Sequence, residues 1–240
     1  METFLKFDLY LHISGGIVAL LTGMIAMIVR KGSNIHKRAG VMYYWAMFVI
    51  CSTALIRFKP TPSLIFLTTI AIFSFYMSFS GKRILSHKKP ATDYQTLDWV
   101  AACITFGCGI AMIVSGIYFW FANNFMILGI LFIFFGTLCS SIARNDIEIF
   151  RGKIELEKMH WFFHHIGRMS GSFSATLTAF FVTNNHGLLP DLLIWISPGV
   201  IIGLFADVLA NRYRKDFKME LVPLLPLRVI KSVLKYVSVR

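Results

Sequence analysis

Seven long apolar stretches punctuate the chain, at about 8–29, 37–57, 63–81, 97–121, 125–143, 164–183 and 190–210. Each is close to the roughly 20 apolar residues that a helix needs to cross a bilayer core. A helix also satisfies its own backbone hydrogen bonds, which lipid cannot do. The pattern predicts an all-α, polytopic integral membrane protein with seven transmembrane helices. Residues 1–210 form that domain, and 211–240 form a basic amphipathic tail. The connections are short and polar. Arg30-Lys31-Gly32-Ser33-Asn34 divides the first two spans, and Lys59-Pro60-Thr61-Pro62 the next two. Proline suits a helix start and not its interior. Asn123-Asn124 is the tightest connection and predicts a close antiparallel hairpin of spans four and five. The first run is full length and follows Glu2 and Asp8, without the basic n-region of a cleavable signal. It reads as a retained anchor.

Composition supports the same class. Hydrophobic residues make up 56% and charged residues 15%, against about 25% charge in soluble domains. The mean hydropathy is +0.66. The net charge of +12 would suggest nucleic acid in a soluble protein. Here the basic residues lie between apolar runs, so the expected partner is a bilayer with anionic inner-leaflet lipids, and no nucleic acid. A second copy or another membrane protein remains open as a further partner. All Lys and Arg except Lys6, Arg57 and Lys59 fall on one side of a seven-span chain. Basic loops stay cytoplasmic. The N-terminus is therefore expected outside, the C-terminus inside, in a bacterial inner membrane. Ile230, Val233, Leu234 and Val237 give the tail one apolar face, predicting a cationic helix on the inner leaflet. Asn145 to Met159 reads as a cytoplasmic connector with some interfacial helix. Cys51, Cys103, Cys108 and Cys139 all sit in apolar runs, which excludes a secreted disulfide framework.

Small residues recur every four positions on several spans, as expected where close backbone approach holds helices together in lipid. The rows are Gly15, Ala19 and Gly23; Cys103, Gly107, Ala111 and Ser115; Gly171, Ala175 and Ala179; and Gly199 with Gly203.

Ionisable residues are costly at membrane depth, and here they gather at the cytoplasmic ends of the spans. Asp98 opens span four, and Arg144, Asp146 and Glu148 follow span five. Asp207 and Asn211 close span seven, and His36 with Arg38 opens span two. Asp98 and Asp207 are expected to be buried, with Arg168 or a protonated histidine partnering Asp207. His160, His164 and Arg168 share one helical face at i, i+4, i+8. Two histidines so spaced can grip a metal ion, although Trp161 and Phe162 stand where a zinc protease carries its glutamate. Three readings stay open. The plainest is a set of snorkelling, capping and mutually paired side chains. The second is a b-type haem held by imidazoles from different helices, drawn from His12, His36, His164 and His165, with Arg168 and other cations near the propionates. His12 is too far from the inner pair to share an iron with it, so an inner haem would use His36 with His164 or His165. The third is zinc on His160 and His164.

Leu11-His12-Ile13-Ser14-Gly15-Gly16, His36-Lys37-Arg38-Ala39-Gly40, Ala143-Arg144-Asn145-Asp146 and His165-Ile166-Gly167-Arg168-Met169-Ser170-Gly171 follow one another in this order. Together they resemble the uncharacterised bacterial membrane family called domain of unknown function 2306, over roughly residues 10–210. That resemblance implies a fold and carries no activity. Looser likenesses supply chemistry. Cytochrome b561-like proteins are His-rich multi-helix electron carriers, which implies a haem-binding redox protein. Seven-helix ceramidase-like hydrolases hold zinc with histidines, an Asp and a Ser, which implies a lipid hydrolase whose nearest parts here are His160, His164, Ser52 and Asp98. Ser52 is expected in the outer half of span two, away from those histidines. A transporter, sensor or assembly factor is the non-enzymatic alternative. A microbial rhodopsin is disfavoured, because 190–210 has no lysine for retinal.

Overall fold

The computed structural model describes residues 2–88, 94–121 and 126–223. It contains α1 (Glu2–Ile28), α2 (Asn34–Ile56), α3 (Pro62–Arg83), α4 (Thr96–Phe121), α5 (Met126–Phe150), α6 (His160–Thr183) and α7 (Asp191–Asp216), with one 3-10 turn, Ile84–Ser86, after α3. No strand occurs among the described residues. Each apolar stretch becomes a helix. Ser33 caps α2 by accepting the His36 amide at 3.2 Å, and Pro62 starts α3. Six helices are long and apolar enough to cross a membrane, all but α6. The expected hairpin turn at Asn123-Asn124 and the amphipathic face of the tail, Ile230 to Val237, lie outside the described residues, while 211–216, expected in the tail, belong to α7.

The ends of α5 and α7 depart from expectation. The α5 helix runs to Phe150 and takes in Arg144, expected just after span five, with Asp146 and Glu148, expected in the connector. The reason is that Asp146 faces inward, only 4% exposed, and continues the buried row Gly136, Cys139, Ala143. The α7 helix extends to Asp216.

Neighbouring helices run antiparallel, shown by contacts that join the end of one to the start of the next. His12 of α1 meets Thr53 of α2, Ala26 meets His36, and Arg83 of α3 meets Asp98 of α4. At the centre α3 packs on α6. Around them, α3 also touches α2, α4 and α5, while α6 touches α1 and α7. Most of the basic loops therefore gather at one end, called here the basic end.

The molecule carries its polar groups inside and its apolar groups outside. Ile13, Ile17, Leu21, Val114, Ile117, Phe121, Ile201 and Phe205 are exposed, whereas Ser74, Ser78, Thr105, Ser170, Ser172, Ser174 and Thr176 are buried. The Tyr43 hydroxyl meets Ser172 Oγ at 2.8 Å and Thr176 Oγ1 at 3.1 Å, and Ser172 donates to the Ser74 carbonyl. Such a surface suits lipid, and such a core replaces the hydrogen bonds that lipid withholds. Its central position explains how α6 can fall short of the apolar character that the other six helices have.

The small-residue rows divide. Gly15, Ala19 and Gly23 are buried against α2 and α6, as expected. On α4 the expected row points outward: Cys103, Gly107 and Ala111 are exposed. The actual seam with α5 uses Thr105, Gly109, Met112 and Gly116 against Gly129, Gly136 and Ser140. Gly171 packs on Met77 of α3, while Ala179 and Gly199 are exposed.

Candidate functional site

Two adjacent sites occupy the basic end, on opposite sides of the central α3–α6 pair. The first lies among α1, α2, α3 and α6. His165 Nδ1 is 2.7 Å from the Gly81 carbonyl, and His36 Nδ1 is 3.1 Å from the Ala26 carbonyl. A carbonyl only accepts, so each Nδ1 carries the proton and each Nε2 carries the lone pair. Neither Nε2 has a hydrogen-bond partner among the described residues. The two rings stand edge to face, with centroids 6.2 Å apart. Gly81 makes this arrangement possible, since a side chain there would meet Arg168 Cβ at 2.9 Å. One turn into the bundle from His36, Gly40 faces open space. Lys31 reaches back to the Ala26 and Met27 carbonyls at 2.7 and 2.6 Å, and its burial pushes the ammonium pKa down. Lys82 lies 3.9 Å from the centre of the Tyr44 ring.

The second site is a small, partly open cavity among α3, α4, α5 and α6, with an interior volume of about 30 Å³. Two ion pairs brace it. Asp146 accepts from Arg168 Nη2 at 2.6 Å and from the Tyr76 hydroxyl at 2.5 Å. Asp98 takes a two-pronged grip from Arg83, 2.7 Å at each oxygen, and the Gln95 amide at 3.0 Å. Forked contacts of this kind are the strong form of the carboxylate–guanidinium bond. An aromatic ledge forms one wall. The His87 and Tyr94 rings stack at 4.7 Å and 20°, and Tyr94 lies 4.3 Å from Phe150. Burial and the nearby Asp146 and Asp98 carboxylates push the Tyr94 phenol pKa up, so it stays a donor. His164 also lines the cavity and makes no hydrogen bond with the described residues.

The expected site residues sort as follows. His36 and His165 come together, while His164 turns to the other side of α6. Asp98 is buried at 4% exposure, as expected. Asp207 is only half-buried, and the expected partnership with Arg168 is replaced, because Arg168 is committed to Asp146. His160 is buried, with its Nε2 unpartnered. Among the described residues no three His, Cys, Asp or Glu converge on one point where a metal could sit. His12 lies at the far end, donating through Nδ1 to Thr53 Oγ1 at 2.7 Å, since that hydroxyl gives its own proton to the Val49 or Ile50 carbonyl. Ser52, beside Thr53, therefore stands at the end opposite His160 and His164. Tyr76, Arg83, His87 and Tyr94 were not singled out from sequence. Tyr76 and Arg83 sit at i and i+7 of α3, a spacing that could have marked one polar face.

No family model, curated protein or solved structure matches the chain.

Proposed function

We propose that the protein is a membrane redox protein that binds a b-type haem at the basic end, between His36 and His165. One observation carries the reading: two imidazoles from different helices stand edge to face, their centroids 6.2 Å apart, with both Nδ1 protons tied to backbone carbonyls. Metal-bound histidines show this arrangement, in which the second nitrogen's partner fixes the tautomer and orients the ring. The 6.2 Å separation is close enough for both imidazoles to contribute to one site. Haem supplies one-electron chemistry when bound. The chain's own part would be to hold the two rings through Ala26 and Gly81, with Gly40 open one turn from His36 and Lys31 and Lys82 as the cations that could meet its carboxylates. Seven spans, a cytoplasmic basic end, a bacterial inner membrane and membership in domain of unknown function 2306 belong to the same reading. The zinc hydrolase reading is weaker, because His160 and His164 lack a third convergent ligand among the described residues and Ser52 is at the wrong end.

The test is an absorption spectrum of detergent-purified protein from haem-replete cells. A Soret band is expected, lost or shifted in His36→Ala and in His165→Ala. It should be unchanged in His164→Ala, which lines the other cavity, and in His12→Ala at the far end. Colourless protein after haem reconstitution overturns the reading.

A further inference from the structure

We propose that an exposed aromatic strip across α2 and α3, at the basic end, is a binding site for one anionic phospholipid. The proposal does not rest on the haem reading.

The strip joins two helices that carry no carboxylate: neither α2 nor α3 contains Asp or Glu. Tyr44 and Phe48 of α2 both meet Phe75 of α3, at 5.8 and 5.7 Å between ring centres. Trp45 packs on Tyr44 at 5.5 Å and on Phe48 at 5.8 Å, and Phe79 continues the row from Phe75 at 6.4 Å. Trp45 and Phe48 are 56% and 45% exposed, so the strip opens on the apolar outer surface of the bundle. Seven residues separate Phe75 from Lys82, a length of roughly 10 Å along α3. One leaflet of hydrocarbon is about 15 Å deep. The strip is therefore long enough to seat much of an acyl chain against rigid rings.

Lys82 closes the strip at the basic end. Its ammonium lies 3.9 Å from the Tyr44 ring centre and 5.7 Å from that of Trp45, and these rings are its partners among the described residues. Three arginines at the same end differ: Arg83 holds Asp98, Arg168 holds Asp146 and Arg214 holds Glu157. A ring face attracts an ammonium without neutralising it. The charge of Lys82 thus stands positioned and uncompensated at the top of an apolar surface. Arg38 adds a second charge. It is exposed and lies seven residues before Trp45, on the same helical face. It makes no ion pair with the described residues.

These features select the occupant. Lysine meets phosphate as a point charge. The ammonium of a zwitterionic headgroup would approach Arg38 and find no carboxylate on either helix, whereas an anionic headgroup meets no such conflict. The aromatic strip gives a soluble phosphate ester nothing to gain, and it gives a lipid a place for its chain. Lys82 then serves the lipid phosphate, and Lys31 remains for a haem carboxylate.

The test titrates the full-length protein in a non-ionic detergent with dioleoyl phosphatidylglycerol or dioleoyl phosphatidylcholine. Bound lipid is counted by native mass spectrometry. One phosphatidylglycerol should bind roughly fivefold more tightly than phosphatidylcholine, or better, the scale of one basic residue at an anionic surface. Lys82→Gln should lower phosphatidylglycerol affinity about fivefold, and Lys82→Arg should keep it. Trp45→Ala should weaken both lipids, because it removes part of the wall. Lys153→Gln makes the same charge change at an exposed position between α5 and α6, and should alter neither. Equal affinity for the two lipids, or full phosphatidylglycerol binding by Lys82→Gln, overturns the proposal. So does an equal loss in Lys82→Gln and Lys153→Gln, which would make net charge the cause. Displacement of phosphatidylglycerol by millimolar glycerol 3-phosphate would make the site one for a soluble phosphate ester, and overturns the lipid assignment.

Discussion

At the scale of single residues, the buried Asp146–Arg168 pair dominates. The side chains are 5% and 7% exposed and meet at 2.6 Å. Two charges removed from water are tolerable only when each satisfies the other and the remaining hydrogen-bonding groups also find partners. Here Tyr76 takes the second carboxylate oxygen, and Arg168 reaches the Ile142 carbonyl at 3.4 Å. Removing one partner strands the other. Asp146→Leu is therefore expected to destabilise the protein by about 3–5 kcal/mol, read as a lower thermal midpoint in detergent. The double variant Asp146→Leu, Arg168→Leu should recover most of that loss. Tyr76→Phe removes one hydrogen bond to a charged group and should cost about 1.5–3 kcal/mol. If the double variant is no more stable than Asp146→Leu, the pair does not behave as a unit.

At the scale of elements, α4 and α5 form the closest helix pair. A side chain at Gly116 would come within 2.8 Å of the Gly129 carbonyl, and one at Gly136 within 2.8 Å of the Gly109 carbonyl. Backbone cannot swing aside as a flexible side chain can. Gly116→Ala and Gly136→Ala should each cost about 1–3 kcal/mol by forcing the helices apart. Gly107 faces open space, so Gly107→Ala should be neutral or stabilise by up to about 1 kcal/mol through helix propensity. Thermal unfolding of the three variants checks the contrast. The same seam shows what could be read from sequence. Apolar length revealed that both helices exist. It did not reveal which of two interleaved small-residue rows packs inward, because Cys103, Gly107 and Ala111 repeat as regularly as Thr105, Gly109 and Gly116. Asp146 was misplaced for a related reason. A charged residue near a span end reads as the start of a loop, and only its register with Gly136, Cys139 and Ala143 marks it as inward. His36 and His165 were both visible as candidates, but their pairing depends on the α2–α6 arrangement, which no local pattern carries.

At the scale of the whole molecule, α6 decides how the chain sits in a membrane. It is 24 residues long, or roughly 36 Å at 1.5 Å per residue, which suffices to cross a hydrocarbon core of about 30 Å. Its composition alone would not place it there, since His160, His164, His165 and Arg168 fill its first turns and buried hydroxyls follow. The fold resolves the conflict. With α1, α3 and α7 packed around it, its polar groups meet protein and not lipid: Arg168 meets Asp146, His165 meets Gly81, and Ser172 meets Tyr43 and Ser74. A helix shielded in this way can span without being apolar. If α6 crosses as well, seven antiparallel spans put the loops after α1, α3 and α5 on one side with most of the Lys and Arg, and the positive-inside rule predicts that side to be cytoplasmic. The prediction is read with a membrane-impermeant maleimide on intact cells, in a background whose four native cysteines are replaced by serine. Asn185→Cys, between α6 and α7, should label from outside, as should Lys59→Cys. Lys153→Cys, between α5 and α6, should label only after the membrane is opened. If Asn185→Cys and Lys153→Cys share one side, α6 does not cross. If Lys153→Cys labels in intact cells while Lys59→Cys does not, the whole bundle is inverted.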